Sequence, residues 1–221
     1  MNDLNKSKIS EISISKNKHP FWAKKLIRMA LWIAYSGYKT KGIENIPARG
    51  SFIIASNHLS YLDPIILSAF IPRDLFFLAK KELFRNFLFS KLITKFGAIP
   101  IEREGFSKKS LEKGSEILRS KECLVIFPEG GIPETRNETT LKPGISMLST
   151  LNNTPILPVS IKGSDSLFNI KTFLTDRTRL SLNFGDPIIP DSEEVDSKSE
   201  HRGKILTLLT KTLLKLEEEN L

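Results

Sequence analysis

Beyond Gly42 the chain repeatedly exchanges a short run of β-branched and aromatic residues for a helical pattern, and this alternation limits the possible fold more than any other feature. The β-rich runs lie at residues 51–56 (SFIIAS), 75–79 (LFFLA), 98–101, 123–127, 156–161 and 179–184. Each is too short to be a stable helix and too apolar to be a loop. Between them helical patterns are expected at 63–70, 87–96, 107–120 with Ser107 as cap, and 204–218, where Leu206, Leu209, Leu213 and Leu216 form a packing stripe. Strands that alternate with helices build an α/β domain, here expected as a mixed central sheet flanked by helices. No repeat or Pro-rich linker divides residues 41–221, so they read as one domain.

The segment ahead of that domain differs in charge. Residues 1–50 carry ten Lys or Arg against Asp3, Glu11 and Glu44, so all but about one unit of the formal +8 lies there. Residues 1–19 lack a helical stripe and read as a flexible basic tail, with order expected from about Pro20. Over 21–35 the pattern is helical, with Lys24, Lys25 and Arg28 within about 100° of one another. Trp22, Leu26, Ile27, Met29 and Ile33 fall outside that sector, and residues 29–35 are apolar nearly all round, so the second half is expected to be the more deeply buried. Residues 20–40 thus fit an amphipathic helix docked on a membrane, Trp22 and Trp32 at headgroup level and cations toward anionic lipid, or equally a helix packed on the core.

No apolar run reaches the roughly 18 to 20 residues of a membrane-spanning helix, so membrane contact is expected at the surface. Residues 1–19 offer no secretory pattern, and the single Cys123 excludes an intrachain disulfide. Both point to the cytoplasmic side of a membrane, with the protein peripheral or monotopic. Cys123 lies in an apolar run (CLVIF) and reads as a buried structural thiol. Charge gathered at one end, over a nearly neutral body, argues against a nucleic-acid groove.

Chemistry concentrates after the first of these runs. His58 follows SFIIAS, at the strand-to-loop position where sheets of this class place their ligands, and Asp63 comes five residues later, just before Pro64 and an apolar run. His19 and His201 lie in polar segments expected at the surface, without comparable context. A carboxylate bound to one imidazole nitrogen fixes the tautomer and frees the other to take a proton from a hydroxyl. If the substrate brings its own alcohol, no serine nucleophile is needed, and Ser60 is expected only to brace the loop. By themselves the two residues also fit a helix cap beside a satisfied loop histidine.

NHLSYLD (57–63) is followed in order by AKKEL (79–83), GAIPIER (97–103), FPEG (127–130) and ILPV (156–159). This series resembles the glycerolipid acyltransferase family, best known for 1-acylglycerol-3-phosphate acyltransferases, over about residues 40–190. The resemblance implies transfer of an acyl group from acyl-CoA or acyl-carrier protein to the free hydroxyl of a lysophospholipid, giving phosphatidic acid when the acceptor is 1-acylglycerol-3-phosphate. It implies His58 as general base, Asp63 as its partner, and Arg103, Glu129 and Gly130 in the acceptor site, with Lys80 as a further cation. No metal or redox cofactor is implied. Read alone, Arg103 suits a phosphate grip but equally a surface ion pair with Glu102 or Glu104; Gly130 and Gly131 suit close approach to a ligand or a plain turn; Lys80 suits solvent.

One stretch departs from the family pattern. FPEG is expected to continue with Thr and Arg, whereas Gly131, Ile132 and Pro133 intervene before Thr135 and Arg136. Phosphate binding then relies on Arg136 reaching the site; otherwise the expected acceptor is a different lysolipid, or one gripped mainly through Arg103. A non-catalytic lipid-binding protein of the same fold is the competing reading.

Overall fold

The computed structural model describes residues 21–35, 37–101, 107–132, 140–166, 180–190 and 197–220. Seven strands form one sheet: β1 (Tyr38–Lys41), β2 (Ile53–Ser56), β3 (Leu75–Lys80), β4 (Ala98–Ile101), β5 (Cys123–Ile126), β6 (Ile156–Lys162) and β7 (Leu180–Phe184), in the order β1-β7-β6-β2-β5-β3-β4. All neighbouring pairs are parallel except β6 with β7, so the sheet is mixed, as the alternation predicts. The helices are α1 (Phe21–Ala34), α2 (Asp63–Phe70), α3 (Phe87–Lys95), α4 (Lys108–Arg119), α5 (Gly144–Asn152) and α6 (Lys198–Glu219).

Alternate residues of the central strands feed two cores, because successive strand side chains leave opposite faces. Phe52, Ile54, Phe77, Val125, Leu157 and Val159 pack with α1 and α2. Ile53, Ala55, Phe76, Leu124, Ile126 and Ile156 pack with α4, α5 and α6. β2 and β5 are buried along their whole length, which puts the residues that follow them at a rigid edge. Cys123 is buried, as expected, and burial pushes its thiol up to about 12.

Two elements escape the sequence reading. β1 is polar (YKTK) and largely exposed; it is the edge strand of the sheet and exists because β7 offers it a parallel partner. α5 (GISMLSTLN) has weak helix formers, and burial of Gly144, Ile145, Ser146, Leu148 and Ser149 against the second core holds it together. α6 begins earlier than expected, capped by Ser197, and its inward stripe is Ile205, Leu209, Leu213 and Leu216, with Leu206 at its margin. His201, expected at the surface, is half-buried on this helix.

α1 forms where expected but turns differently. Leu31 and Tyr35 are buried, with Ile27 packed beside them, whereas Trp22, Leu26, Met29, Trp32 and Ile33 are all at least half exposed. The second half is therefore not the more buried part. Lys24, expected on an outward cationic sector, is 7% exposed and donates to the carbonyls of Ile71 (2.9 Å) and Arg73 (2.8 Å). These carbonyls lie just beyond the C-terminus of α2, where a cation complements both free acceptors and helix dipole. Burial depresses the Lys24 pKa. No helix among the described residues is long and apolar enough to cross a membrane. Residues 1–19, including His19 and the predicted tail, lie outside the described residues.

Candidate active site

β2 ends at Ser56, and the chain must leave the sheet between its two central neighbours, β5 and β6. Asn57 makes that exit rigid. Its buried amide donates to the Ile161 carbonyl (2.9 Å) and accepts from the Ile161 N–H (2.8 Å), clamping the loop to β6. His58 follows directly and points its ring at the start of α2.

Asp63 is fully buried, and one of its oxygens, Oδ2, gathers three contacts. It lies 2.8 Å from His58 Nδ1 and accepts the N–H groups of Leu59 (2.7 Å) and Ser60 (2.8 Å). Asp63 stands at the first residue of α2, yet its carboxylate reaches back into the loop instead of forward into its own helix. This is not helix capping; the carboxylate organises the loop that carries His58. With Asp63 ionised as acceptor, the assigned tautomer is Nδ1–H, which leaves the Nε2 lone pair free. The His58 side chain is 14% exposed, so the ring is not sealed from solvent. Ser60 accepts from the Leu62 N–H through its hydroxyl, the bracing role expected of it.

The FPEG loop arrives from β5, immediately beside β2. The Phe127 ring stacks on the imidazole, centroids 4.0 Å apart and planes 16° from parallel, which fixes the ring plane that Asp63 fixes at one atom. Glu129 Oε2 lies 3.4 Å from the His58 backbone N–H, a long and weak hydrogen bond. Burial, with the charges of Glu217 and Asp63 adding to it against that bond, pushes the Glu129 carboxyl up to about 7, so a large fraction is protonated near neutrality. Gly130 has φ 86° and lies against the Lys142 side chain, into which a Cβ at this position would run. The positive φ favours glycine here, whereas the flexible Lys142 side chain could move aside.

The structure thus unites His58, Asp63, Glu129 and Gly130 at one edge. Lys80 ends β3 on this same C-terminal edge, exposed, two strands from β2, and makes no described contact with His58. β4 also ends on this edge, but Arg103 lies outside the described residues, as do Pro133, Thr135 and Arg136. Sequence reasoning quoted Asn57 and Phe127 without giving them a role. A polar residue straight after an apolar strand, and an aromatic at a strand's end, were the available signals. It missed Lys142, which nothing nearby in the sequence connects to FPEG.

The family model described as "Acyltransferase" matches residues 37–162, more than half of the chain. The 1-acyl-sn-glycerol-3-phosphate acyltransferase of Streptococcus pneumoniae is 30% identical over 166 residues, covering 74% of this chain and 60% of its own length. That of Bacillus subtilis is 29% identical over 153 residues, covering 69% and 74% respectively. A probable 1-acyl-sn-glycerol-3-phosphate acyltransferase of Mycoplasma pneumoniae is 30% identical over 194 residues, covering 80% and 72%. The crystal structure of the 1-acyl-sn-glycerophosphate (LPA) acyltransferase PlsC from Thermotoga maritima matches with a TM-score of 0.64 at 22% identity, over 98% of this chain and 84% of that one, and bears on the fold alone. The matched span takes in β1 through β6, and with them the His58–Asp63 loop and the FPEG turn, so the chain belongs to the acyltransferase family.

Proposed function

We propose that the protein transfers an acyl group from an acyl thioester to the free hydroxyl of 1-acylglycerol-3-phosphate, giving phosphatidic acid. The observation that carries this reading is the His58–Asp63 pair, 2.8 Å apart, with Nε2 free at the edge of the sheet. The names of the relatives supply the substrate class. In the reaction, Nε2 takes the proton of the acceptor hydroxyl as its oxygen attacks the thioester carbonyl, and the imidazolium that forms is stabilised by the Asp63 carboxylate. Collapse of the tetrahedral intermediate expels the thiolate of CoA or of a carrier protein, and His58 can return its proton to that sulfur. Glu129, protonated in large part, serves as a hydrogen-bond partner for a glycerol hydroxyl without repelling a phosphate. Lys142 and Lys80 supply positive charge on this edge, joined in the proposal by Arg103 and Arg136.

The acceptor and product are bilayer lipids, and α1 supplies a landing surface: Trp22, Leu26, Met29 and Ile33 recur at helical spacing on its outer face. Docking on an anionic, cytoplasmic leaflet is part of the proposal. The stretch from Gly131 to Pro133 motivates a second reading, in which the acceptor is a lysolipid with another headgroup.

Labelled acyl donor, offered as acyl-CoA or acyl-carrier protein, and a panel of lysolipids test the proposal directly. Phosphatidic acid is the expected product, formed by the wild-type protein and lost on His58→Ala. Full activity of that variant would remove the proposed base, and preference for a different headgroup would favour the second reading.

A further inference from the structure

α3 is built the opposite way from a helix that merely covers a sheet. Its inward positions are Ser90, Ile93 and Thr94, all only half-buried, and no residue of the helix is fully buried. Its outer surface carries Phe87 (68% exposed), Leu88 (77%) and Leu92 (45%), with Phe89 beside them. The backbone that carries them is capped. The Asn86 side chain accepts the N–H groups of Leu88 (3.0 Å) and Phe89 (3.1 Å), a full cap that fixes the first turn with its apolar residues pointing outward.

The charge around this surface is predominantly positive. From residue 80 to 95 the chain carries Lys80, Lys81, Arg85, Lys91 and Lys95 against Glu82 alone, a second basic concentration in a body that is otherwise close to neutral. The Lys91 ammonium lies 4.5 Å from the Phe87 ring centroid, so cation and apolar surface are interleaved. Long basic stems flanking a protruding apolar set match a leaflet boundary, where the stems reach headgroups while the rings enter the acyl region.

Topology places this surface where it matters. β3 ends at Lys80 on the edge that carries His58, and a short 3-10 turn (Lys81–Phe84) leads into α3, so Phe87 and Leu88 lie near that edge. Tyr61, 66% exposed, projects from the His58–Asp63 loop on the same edge. The right-handed crossover of parallel strands puts α3 on the same face of the sheet as α2, against which α1 packs.

We propose that α3 is a second lipid contact, in which Phe87, Leu88 and Leu92 enter an anionic leaflet and Arg85, Lys91 and Lys95 meet its headgroups. This extends the membrane part of the proposed function but does not depend on α1 or on the acyl-transfer chemistry. Together with α1 it tilts the active-site edge toward the lipid.

Both tryptophans of the chain lie in α1, so Phe87→Trp in a Trp22→Phe/Trp32→Phe background reports on α3 alone. Mixed phosphatidylglycerol and phosphatidylcholine vesicles are expected to shift its emission to the blue, and brominated acyl chains to remove about half or more of it. Leu88→Ser/Leu92→Ser, with α1 intact, is expected to lower vesicle co-sedimentation several-fold while leaving turnover of a detergent-dispersed lysolipid unchanged. Unshifted emission from position 87 while the protein sediments with vesicles would overturn the proposal. So would a response to a purified acidic acyl-carrier protein and none to vesicles, which would make α3 a protein-docking surface. Failure of the acyl-transfer reading would look different: no turnover in any variant, with the fluorescence response intact.

Discussion

Asp63→Asn separates a residue that merely braces a loop from one that sustains chemistry. The substitution keeps size and shape, and the amide oxygen can occupy the place of Oδ2, accepting from His58 Nδ1, Leu59 N–H and Ser60 N–H. The new NH2 group falls where Oδ1 now lies, a buried position with no hydrogen-bond partner among the described residues. Three charge-assisted bonds become neutral and one buried donor goes unpaired, at a cost of about 1–3 kcal/mol, offset in part by relief of a buried charge. For a chain of this size that lowers Tm by several degrees and leaves the fold intact. Catalysis should suffer much more. A neutral partner still accepts from Nδ1 but cannot stabilise the imidazolium that forms, so kcat/KM is expected to fall by roughly 10³ to 10⁴, about 4–5.5 kcal/mol of transition-state stabilisation. Steady-state acylation of a lysolipid, beside thermal unfolding by circular dichroism, reads both numbers. A folded variant keeping more than about a tenth of wild-type kcat/KM would refute the orienting role and reduce Asp63 to loop architecture.

Two further expectations follow from neighbouring groups. Asn57→Ala leaves both backbone groups of Ile161 unpaired in a buried site and should cost about 2–4 kcal/mol in denaturant unfolding, with activity falling as the His58 loop loosens; a cost below about 1 kcal/mol would mean that the clamp is dispensable. The Glu129 carboxyl, raised by burial to about 7 from an ordinary 4.5, binds more protons folded than unfolded between those values, so its contribution to stability declines as pH rises through that window. Glu129→Gln should therefore gain on wild type by about 1 kcal/mol at pH 8, after allowance for solvent screening, and little at pH 4.5; unfolding curves at the two pH values with equal gaps would contradict the raised pKa.

The strands and helices that could be read in advance are those whose apolar pattern is local and strong. Among the described residues, six of the seven strands and five of the six helices lie where expected, α6 with an earlier start, because burial requires apolar patterns that no loop would carry. β1 and α5 lack such a signature, and only their neighbours stabilise them. α1 shows a different limit. A helical wheel separates sectors but cannot say which one meets the protein, and it assigned Lys24 to the outside when the open carbonyls beyond α2 draw it in.

The sequence by itself determined the α/β class, since alternation is a property of the chain alone, and its ordered series of motifs pointed to the pairing of His58 with Asp63, which a five-residue spacing alone left open. Tertiary structure decided the remainder of the site. Phe127 on the imidazole, Glu129 at the His58 amide and Asn57 on Ile161 join residues 69, 71 and 104 positions apart. They meet because β2 lies between β5 and β6. That strand order arises from packing the whole sheet, and no local stretch of sequence encodes it.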